Sequence, residues 1–316
     1  MIPRRRLGRS DLSVPPLCFG GNVFGWTADE ATSFRLLDRL AEAGLCFLDT
    51  ADGYSRWVPG HVGGESETII GRWMAERRNR DRVIVATKVG SDLGPGRKGL
   101  SAKWIARAAE DSLRRLQTDY IDLYQSHFDD ADTPVEETLG AYDKLVKAGK
   151  VRLVGASNFT PERLAQSLAA SAREGLPRYA SLQPHYNLVE RAKFEGPLEA
   201  LCLEEGVGVI PYYALAGGFL TGKYRSKADL AKSPRGAGAA QYLDDRGLKV
   251  LAALDEVSAG HAATPAQVAL AWLMARPAVT APIASATSLD QLEDLIAAAQ
   301  LELSAQDIDQ LDRASA

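Results

Sequence analysis

Asp49 closes the apolar run Leu45-Cys46-Phe47-Leu48, Lys88 closes Val83-Ile84-Val85-Ala86-Thr87 and His127 closes residues 120–126, and Tyr54 follows Asp49 by five positions. A carboxylate, an ammonium, an imidazole and a phenol form a set suited to proton transfer. A tyrosine left to itself titrates at about pH 10, and a neighbouring ammonium favours its phenolate. Lys88 is therefore expected to lower the Tyr54 pKa and ease release of its proton near neutrality. A buried ammonium is costly unless paired, and Asp49 is placed to pair with it. His127 can then hydrogen-bond an acceptor oxygen or relay a proton.

The spacing says what must hold these groups. Asp49 to Lys88 and Lys88 to His127 are both 39 residues, about one strand-helix unit. Polar groups at the tops of successive parallel strands are how a (β/α)8 TIM barrel builds a site at its C-terminal face. The rest of the chain agrees with that α/β reading. Gly8-Arg9-Ser10-Asp11 predicts the turn of an N-terminal β-hairpin. Strands are then predicted over 17–20, 45–49, 83–88, 120–126, 151–155, 179–183, 207–212 and 279–283. Helices are predicted over 29–43, 65–77, 101–116, 134–148, 161–173, 197–205, 243–259, 265–275 and 289–299. Long loops, 52–64, 89–99, 183–196 and 214–242, each follow a strand, so all four rise on the face that carries the ionisable groups.

Composition restricts the class. An apolar fraction of 46% with 25% charged residues across 316 positions supports a sizeable core, and a single barrel domain over 1–316 is expected, since such barrels run to this length as one unit. A net charge of −4 gives no general attraction to nucleic acid or anionic membrane. Arg4-Arg5-Arg6 is followed by Gly8, Arg9, Ser10 and Asp11 instead of an apolar signal segment. The apolar stretch 266–286 is broken by Arg276 and Pro277, short of a membrane span. Three cysteines, Cys18, Cys46 and Cys202, are an odd number in apolar surroundings, the pattern of buried thiols in a reducing compartment. A cytoplasmic protein without nucleic-acid or membrane partners is expected.

Each site residue also has a plain structural explanation when taken alone. Asp49 and Lys88 can be an ion pair inside a barrel, Tyr54 a packed loop aromatic and His127 an interior histidine. Their joint placement at strand tops is what favours chemistry. His61 and His185 lack a Cys or carboxylate at metal-ligand spacing, so no metal site is expected. The cluster Asp129-Asp130-Ala131-Asp132 is expected to be a solvated loop and helix-capping feature. No G-x-G-x-x-G follows an early strand, so a Rossmann domain is not supported.

Six motifs in order resemble the aldo-keto reductases, in particular the branch similar to potassium-channel β subunits and general stress proteins. They are Phe47-Leu48-Asp49-Thr50-Ala51-Asp52-Gly53-Tyr54 with Gly64-Glu65-Ser66-Glu67; Thr87-Lys88; Asp119-Tyr120-Ile121-Asp122-Leu123 running to His127; Gly155-Ala156-Ser157-Asn158-Phe159; Gln183 with Tyr186-Asn187; and Tyr212 with the run 215–224. The resemblance spans essentially the whole chain. It implies an oxidoreductase that reduces aldehydes or ketones by direct hydride transfer, or oxidises alcohols in reverse, with Tyr54 as acid beside Lys88, Asp49 and His127. It implies NADPH as cofactor, with NADH left open. Ser157, Asn158 and Gln183 would hold the nicotinamide carboxamide and Tyr212 would stack on its ring. Gly21, Leu215, Gly217, Lys223, Arg225, Ser285, Thr287, Gln291 and Asp294 would hold the remainder, with Arg235 as a further source of charge.

The chain departs from the family pattern where Ser285, Thr287 and Leu295 stand for the usual Gly, Arg and Asn, and where Tyr213-Ala214 replaces Ser-Pro. Ser285 and Thr287 at a helix N-terminus can still meet a phosphate through hydroxyl and backbone N–H groups. Trp26, Tyr54, Trp57, Phe128 and Tyr186 are expected around the substrate, a small-molecule carbonyl or alcohol. The protein is expected to act as a monomer or weak homo-oligomer. Two other readings stay open. One is a barrel that keeps its cofactor for redox sensing as a regulatory subunit, against which His127 stands where those subunits usually carry Asn. The other is a metal-dependent hydrolase using Asp and His.

Overall fold

The computed structural model describes residues 2–233 and 235–316. An antiparallel hairpin, β1 (Arg5–Arg6) and β2 (Ser13–Val14), precedes eight parallel strands: β3 (Cys18–Gly20), β4 (Phe47–Asp49), β5 (Ile84–Val89), β6 (Ile121–Ser126), β7 (Val151–Ser157), β8 (Tyr179–Gln183), β9 (Gly208–Val209) and β10 (Ile283–Ala284). Neighbours in the sheet run in sequence order from β3 to β9, with β10 beside β3. The circle closes where Thr280 N–H donates to the Val209 carbonyl (2.8 Å) and Ile283 N–H to that of Pro211 (2.9 Å). The fold is therefore the expected (β/α)8 barrel with its N-terminal hairpin.

Helices alternate with the strands: α1 (Glu30–Glu42), α2 (Glu65–Arg77), α3 (Ala102–Leu116), α4 (Val135–Lys147), α5 (Pro161–Glu174) and α6 (Pro197–Glu205). A single turn, α7 (Gly236–Ala239), interrupts the long loop after β9, and α8 (Asp245–His261), α9 (Pro265–Met274), α10 (Leu289–Ala298) and α11 (Ala305–Ser315) complete the chain. Their starts are written locally. The side chains of Asp29, Ser101, Thr160, Thr264 and Ser288 each accept a hydrogen bond from a first-turn N–H, satisfying donors that no helical carbonyl can reach. Pro134 is the residue before α4 rather than its first helical position.

One helix escaped the sequence reading. The segment 305–315 has only Ile308 and Leu311 as large apolar residues, too few for a periodic signal. It is anchored by polar contacts: His261 to Asp307 (2.9 Å), Trp272 Nε1 to Asp312 (2.9 Å) and Arg276 to Asp312 (2.9 Å).

Strand periodicity decides which groups reach the barrel interior, because alternate side chains face opposite sides. Cys18, Phe47, Ile84, Ala86 and Leu123 form one buried cluster with Leu7, Leu12 and Val14 of the hairpin region. The hairpin thus plugs the lower mouth. Leu48, Val85, Tyr124 and Val154 belong instead to the larger cluster shared with the helices. Stepping two residues up from the interior set gives Asp49 above Phe47, Lys88 above Ala86, and Gln125 then His127 above Leu123. The polar floor of the upper mouth is the continuation of the apolar core below it.

Candidate active site

At that floor Lys88 is wholly buried and uses all three ammonium donors. It donates to Asp49 Oδ2 (2.7 Å), the Thr50 carbonyl (2.8 Å) and Tyr54 Oη (2.8 Å). The Tyr54 hydroxyl in turn donates to Asp49 Oδ2 (3.0 Å), while Asp49 Oδ1 accepts from Gln183 Nε2 (2.8 Å) and Gln125 Nε2 (3.4 Å). The carboxylate is saturated with donors, which is how a buried charge is tolerated.

The geometry expected of the phenol and the amine is present, but the direction expected of the pKa is reversed. Burial, and then the negative charge and hydrogen bond of Asp49, hold the Tyr54 phenol well above its ordinary value. Lys88 and Asp49 are a compensated pair at 2.7 Å, so the ammonium's pull is offset and desolvation of the phenolate wins. Tyr54 keeps its proton throughout the neutral range, in the form needed to give one away.

His127 is held neutral: burial, then the Lys88 charge, push its pKa well below the usual range. Its Nδ1 lies 2.9 Å from Ser91 Oγ, and its ring stacks on Phe128 at 4.6 Å between centroids with 8° between planes. The Tyr54 and His127 rings are 6.0 Å apart. Both line a cavity of about 840 Å³, within the usual range for a small-molecule or cofactor site.

The same cavity is lined by Ser157, Asn158, Gln183 and Tyr212, by Ser285, Thr287, Gln291 and Asp294, and by Leu215, Gly217 and Lys223. Asn158 ties its wall together, since its amide donates to the His127 carbonyl (3.0 Å) and its oxygen accepts from Tyr212 Oη (2.8 Å). Trp57 and Phe128 stand at the cavity, 51% and 47% exposed, together with Tyr213 at 55%. Tyr213 adopts a left-handed backbone (φ 55°), uncommon for an aromatic residue.

Four expected residues lie elsewhere. Arg225 turns outward, with both terminal nitrogens on Asp255 (2.7 and 2.8 Å). Gly21 faces α2, its carbonyl accepting from Ser66 Oγ (2.8 Å), while its neighbours Gly20 and Asn22 line the cavity. Tyr186 is fully buried against Phe194 and Trp272 and donates to Glu195 (2.7 Å). Trp26 stands behind Trp57, edge-on at 5.5 Å, with the Arg235 guanidinium over its face at 5.2 Å.

Three residues outside the original set also belong here. Gln125 was legible as the position two before His127. Ser91 and Asn22, which accepts from Ser285 Oγ (2.8 Å), had no local signal. The Asp130 carboxylate is a loop fastener, accepting from Leu100 N–H and Thr133 Oγ1 (both 2.7 Å).

A bound anion fits the cation content of this cavity. Among the described residues Lys223 and Arg235, which both line it, have no carboxylate partner, and the buried Nη2 of Arg235 has no hydrogen-bond acceptor. Unpaired buried guanidinium is costly, and phosphate oxygens are its natural complement. Among the described residues no helix is long and apolar enough to cross a membrane.

Comparison with known proteins agrees with the geometry. The Aldo/keto reductase family model matches residues 16–316. An uncharacterized oxidoreductase, YrpG, of Bacillus subtilis (strain 168) is 37% identical over 305 residues, covering 94% of this chain and 91% of the relative. The aldo-keto reductase yakc [NADP(+)] of Schizosaccharomyces pombe is 30% identical over 314 residues, covering 96% and 88%. A probable voltage-gated potassium channel subunit beta of Oryza sativa subsp. japonica is 33% identical over 297 residues, covering 91% and 88%. With a family match across nearly its whole length and a buried carboxylate, ammonium and phenol at the mouth of its barrel, this chain belongs to the aldo/keto reductase family of oxidoreductases.

Proposed function

We propose that this protein reduces aldehyde or ketone carbonyls to alcohols, or runs the reverse oxidation, with NADPH as cofactor and Tyr54 as the proton donor. The observation that carries the reading is the hydroxyl of Tyr54, protonated at neutral pH and 2.8 Å from Lys88 Nζ on the floor of a cavity of about 840 Å³. Bound nicotinamide supplies the hydride. The chain's own residues do the rest.

As negative charge grows on the substrate oxygen, the Tyr54 hydroxyl swings from Asp49 toward it and passes its proton. The phenolate left behind is stabilised by the Lys88 ammonium at 2.8 Å, a preorganised charge that needs no solvent reorganisation. Asp49 keeps that ammonium in place. Neutral His127 offers a hydrogen bond to the same oxygen and orients the carbonyl. Ser157, Asn158 and Gln183 are the residues for the carboxamide, Tyr212 for the ring face, and Lys223 and Arg235 for phosphate charge. Ser285 and Thr287 are the residues for the adenosine side, and a 2′-phosphate there would draw on the cations that line the same cavity. We place this activity in the cytoplasm, on small-molecule substrates, in a single barrel domain.

The test is to follow NADPH and NADH absorbance against a panel of aldehydes, ketones and alcohols, with Tyr54→Phe beside the parent. Cofactor affinity should be retained in the variant while turnover falls by roughly two to four orders of magnitude. A variant with full turnover would remove Tyr54 from the role. The similarity to a channel β subunit gives a second reading, a cofactor-binding regulator, which predicts tight NADPH binding with no turnover of any carbonyl in the parent.

A further inference from the structure

Resting on the acid-base reading above, we propose that Ser91 is a positioning residue: its hydroxyl donates to Nδ1 of His127 and so keeps the imidazole proton on Nε2, aimed into the cavity. Ser91 follows β5 by two positions, in the loop 90–101, and its only side-chain hydrogen-bond partner among the described residues is that ring nitrogen, at 2.9 Å. Nε2 of the same ring makes no hydrogen bond to the described residues, and His127 lines the cavity. A neutral imidazole has one N–H and one bare nitrogen, and the bond made by one nitrogen selects which is which.

The ring is neutral here, because burial and the Lys88 ammonium both disfavour imidazolium. If Nδ1–H donated to Ser91, the bare Nε2 lone pair would face the oxygen on which negative charge develops, and would repel it. With Ser91 as donor, Nε2–H faces that oxygen and attracts it.

The hydroxyl's own position is set by the backbone. A Cβ on Gly53 would stand 2.9 Å from both Cβ and Oγ of Ser91, closer than such atoms approach. The residue before the proposed acid therefore has no side chain, which leaves room for the serine to reach the histidine. One turn of chain thus supports Tyr54 directly and His127 through Ser91.

The chain has four histidines, so ¹⁵N-histidine labelling with long-range ¹H–¹⁵N spectra can resolve each ring, with His127 identified by its loss in His127→Gln. The parent should show His127 as a single form protonated at Nε2. Ser91→Ala should move both ring-nitrogen shifts toward a tautomer average. With 4-nitrobenzaldehyde and NADPH, Ser91→Ala should lower kcat by roughly three- to tenfold, the rate equivalent of one ordinary hydrogen bond, with KM nearly unchanged. Ser91→Thr, which keeps the hydroxyl, should restore both readouts.

A parent ring protonated at Nδ1, unchanged shifts in Ser91→Ala, or changed shifts with parental kcat would each overturn the proposal. The spectra need no turnover. Failure of Tyr54→Phe to lose activity therefore sinks the acid assignment alone, and leaves the tautomer result to stand or fall separately.

Discussion

Replacing Lys88 by Met tests whether the pair at the barrel floor is a desolvated charge pair. Lys88 and Asp49 are 0% and 1% exposed and 2.7 Å apart. Methionine fills much of the same space, so the main loss is electrostatic: the Asp49 carboxylate keeps its bonds from Tyr54, Gln125 and Gln183 but has no cation beside it. Removing one partner of a buried pair typically costs about 3–5 kcal/mol, a large share of the roughly 5–15 kcal/mol that holds a domain folded. Asp49→Leu should cost a similar amount by stranding the ammonium. The double variant removes both charges, leaving mainly the amides of Gln125 and Gln183 and the Thr50 carbonyl short of partners. It should therefore be no less stable than either single variant, which requires a coupling in its favour at least as large as the larger single loss, about 3–5 kcal/mol. Urea unfolding followed by tryptophan fluorescence and far-UV circular dichroism gives all four corners of the cycle. Single losses below about 1 kcal/mol that simply add in the double variant are the behaviour of an exposed ion pair, and would refute the reasoning.

Arg235→Ala removes an uncompensated guanidinium from the cavity, and should weaken NADPH binding by about ten- to a hundredfold, as expected for a charged hydrogen bond; equal affinity in a fluorescence titration at low salt would deny it a phosphate. The folded-state pKa of His127 lies below its unfolded value, so the stability it contributes is complete above about pH 6.5 and is lost as pH falls toward the folded pKa. His127→Gln should therefore lose less stability than the parent between about pH 6.5 and 5, by at most about 1.4 kcal/mol per pH unit; parallel unfolding curves would contradict the burial argument. Gly71 sits where α2 crosses α3, and a Cβ there would stand 2.2 Å from the Arg115 carbonyl oxygen. Gly71→Ala should destabilise by about 1–3 kcal/mol through overpacking, measurable as a lowered unfolding midpoint with cofactor affinity at native temperature unchanged.

How much of the site was legible follows from how local each signal is. Asp49, Lys88 and His127 could be found because a strand of alternating faces carries a side chain to a known side, and an apolar run reports where the strand ends. Gln125 follows from the same rule applied one step further. Loop residues obey no such rule. Arg225 and Arg235 lie in one segment with similar surroundings in sequence, yet one is neutralised by Asp255 at the surface and the other lines the cavity with its guanidinium over the Trp26 ring behind it. Tyr186 looks like a pocket aromatic in sequence and is buried against Phe194 and Trp272 instead.

By itself the order of residues determined the barrel: the period of two that separates interior from helix-facing positions, the caps that start the helices, the strand-end spacing that gathers carboxylate, amine and imidazole at one mouth. These are short-range properties of the backbone and of neighbouring side chains. Tertiary structure alone decided which way the Tyr54 proton affinity moves, which arginine lines the cavity, and that Ser91 meets His127. Each of those depends on burial and on contacts between segments far apart in the chain, where desolvation by the assembled fold outweighs the intrinsic chemistry of any one residue.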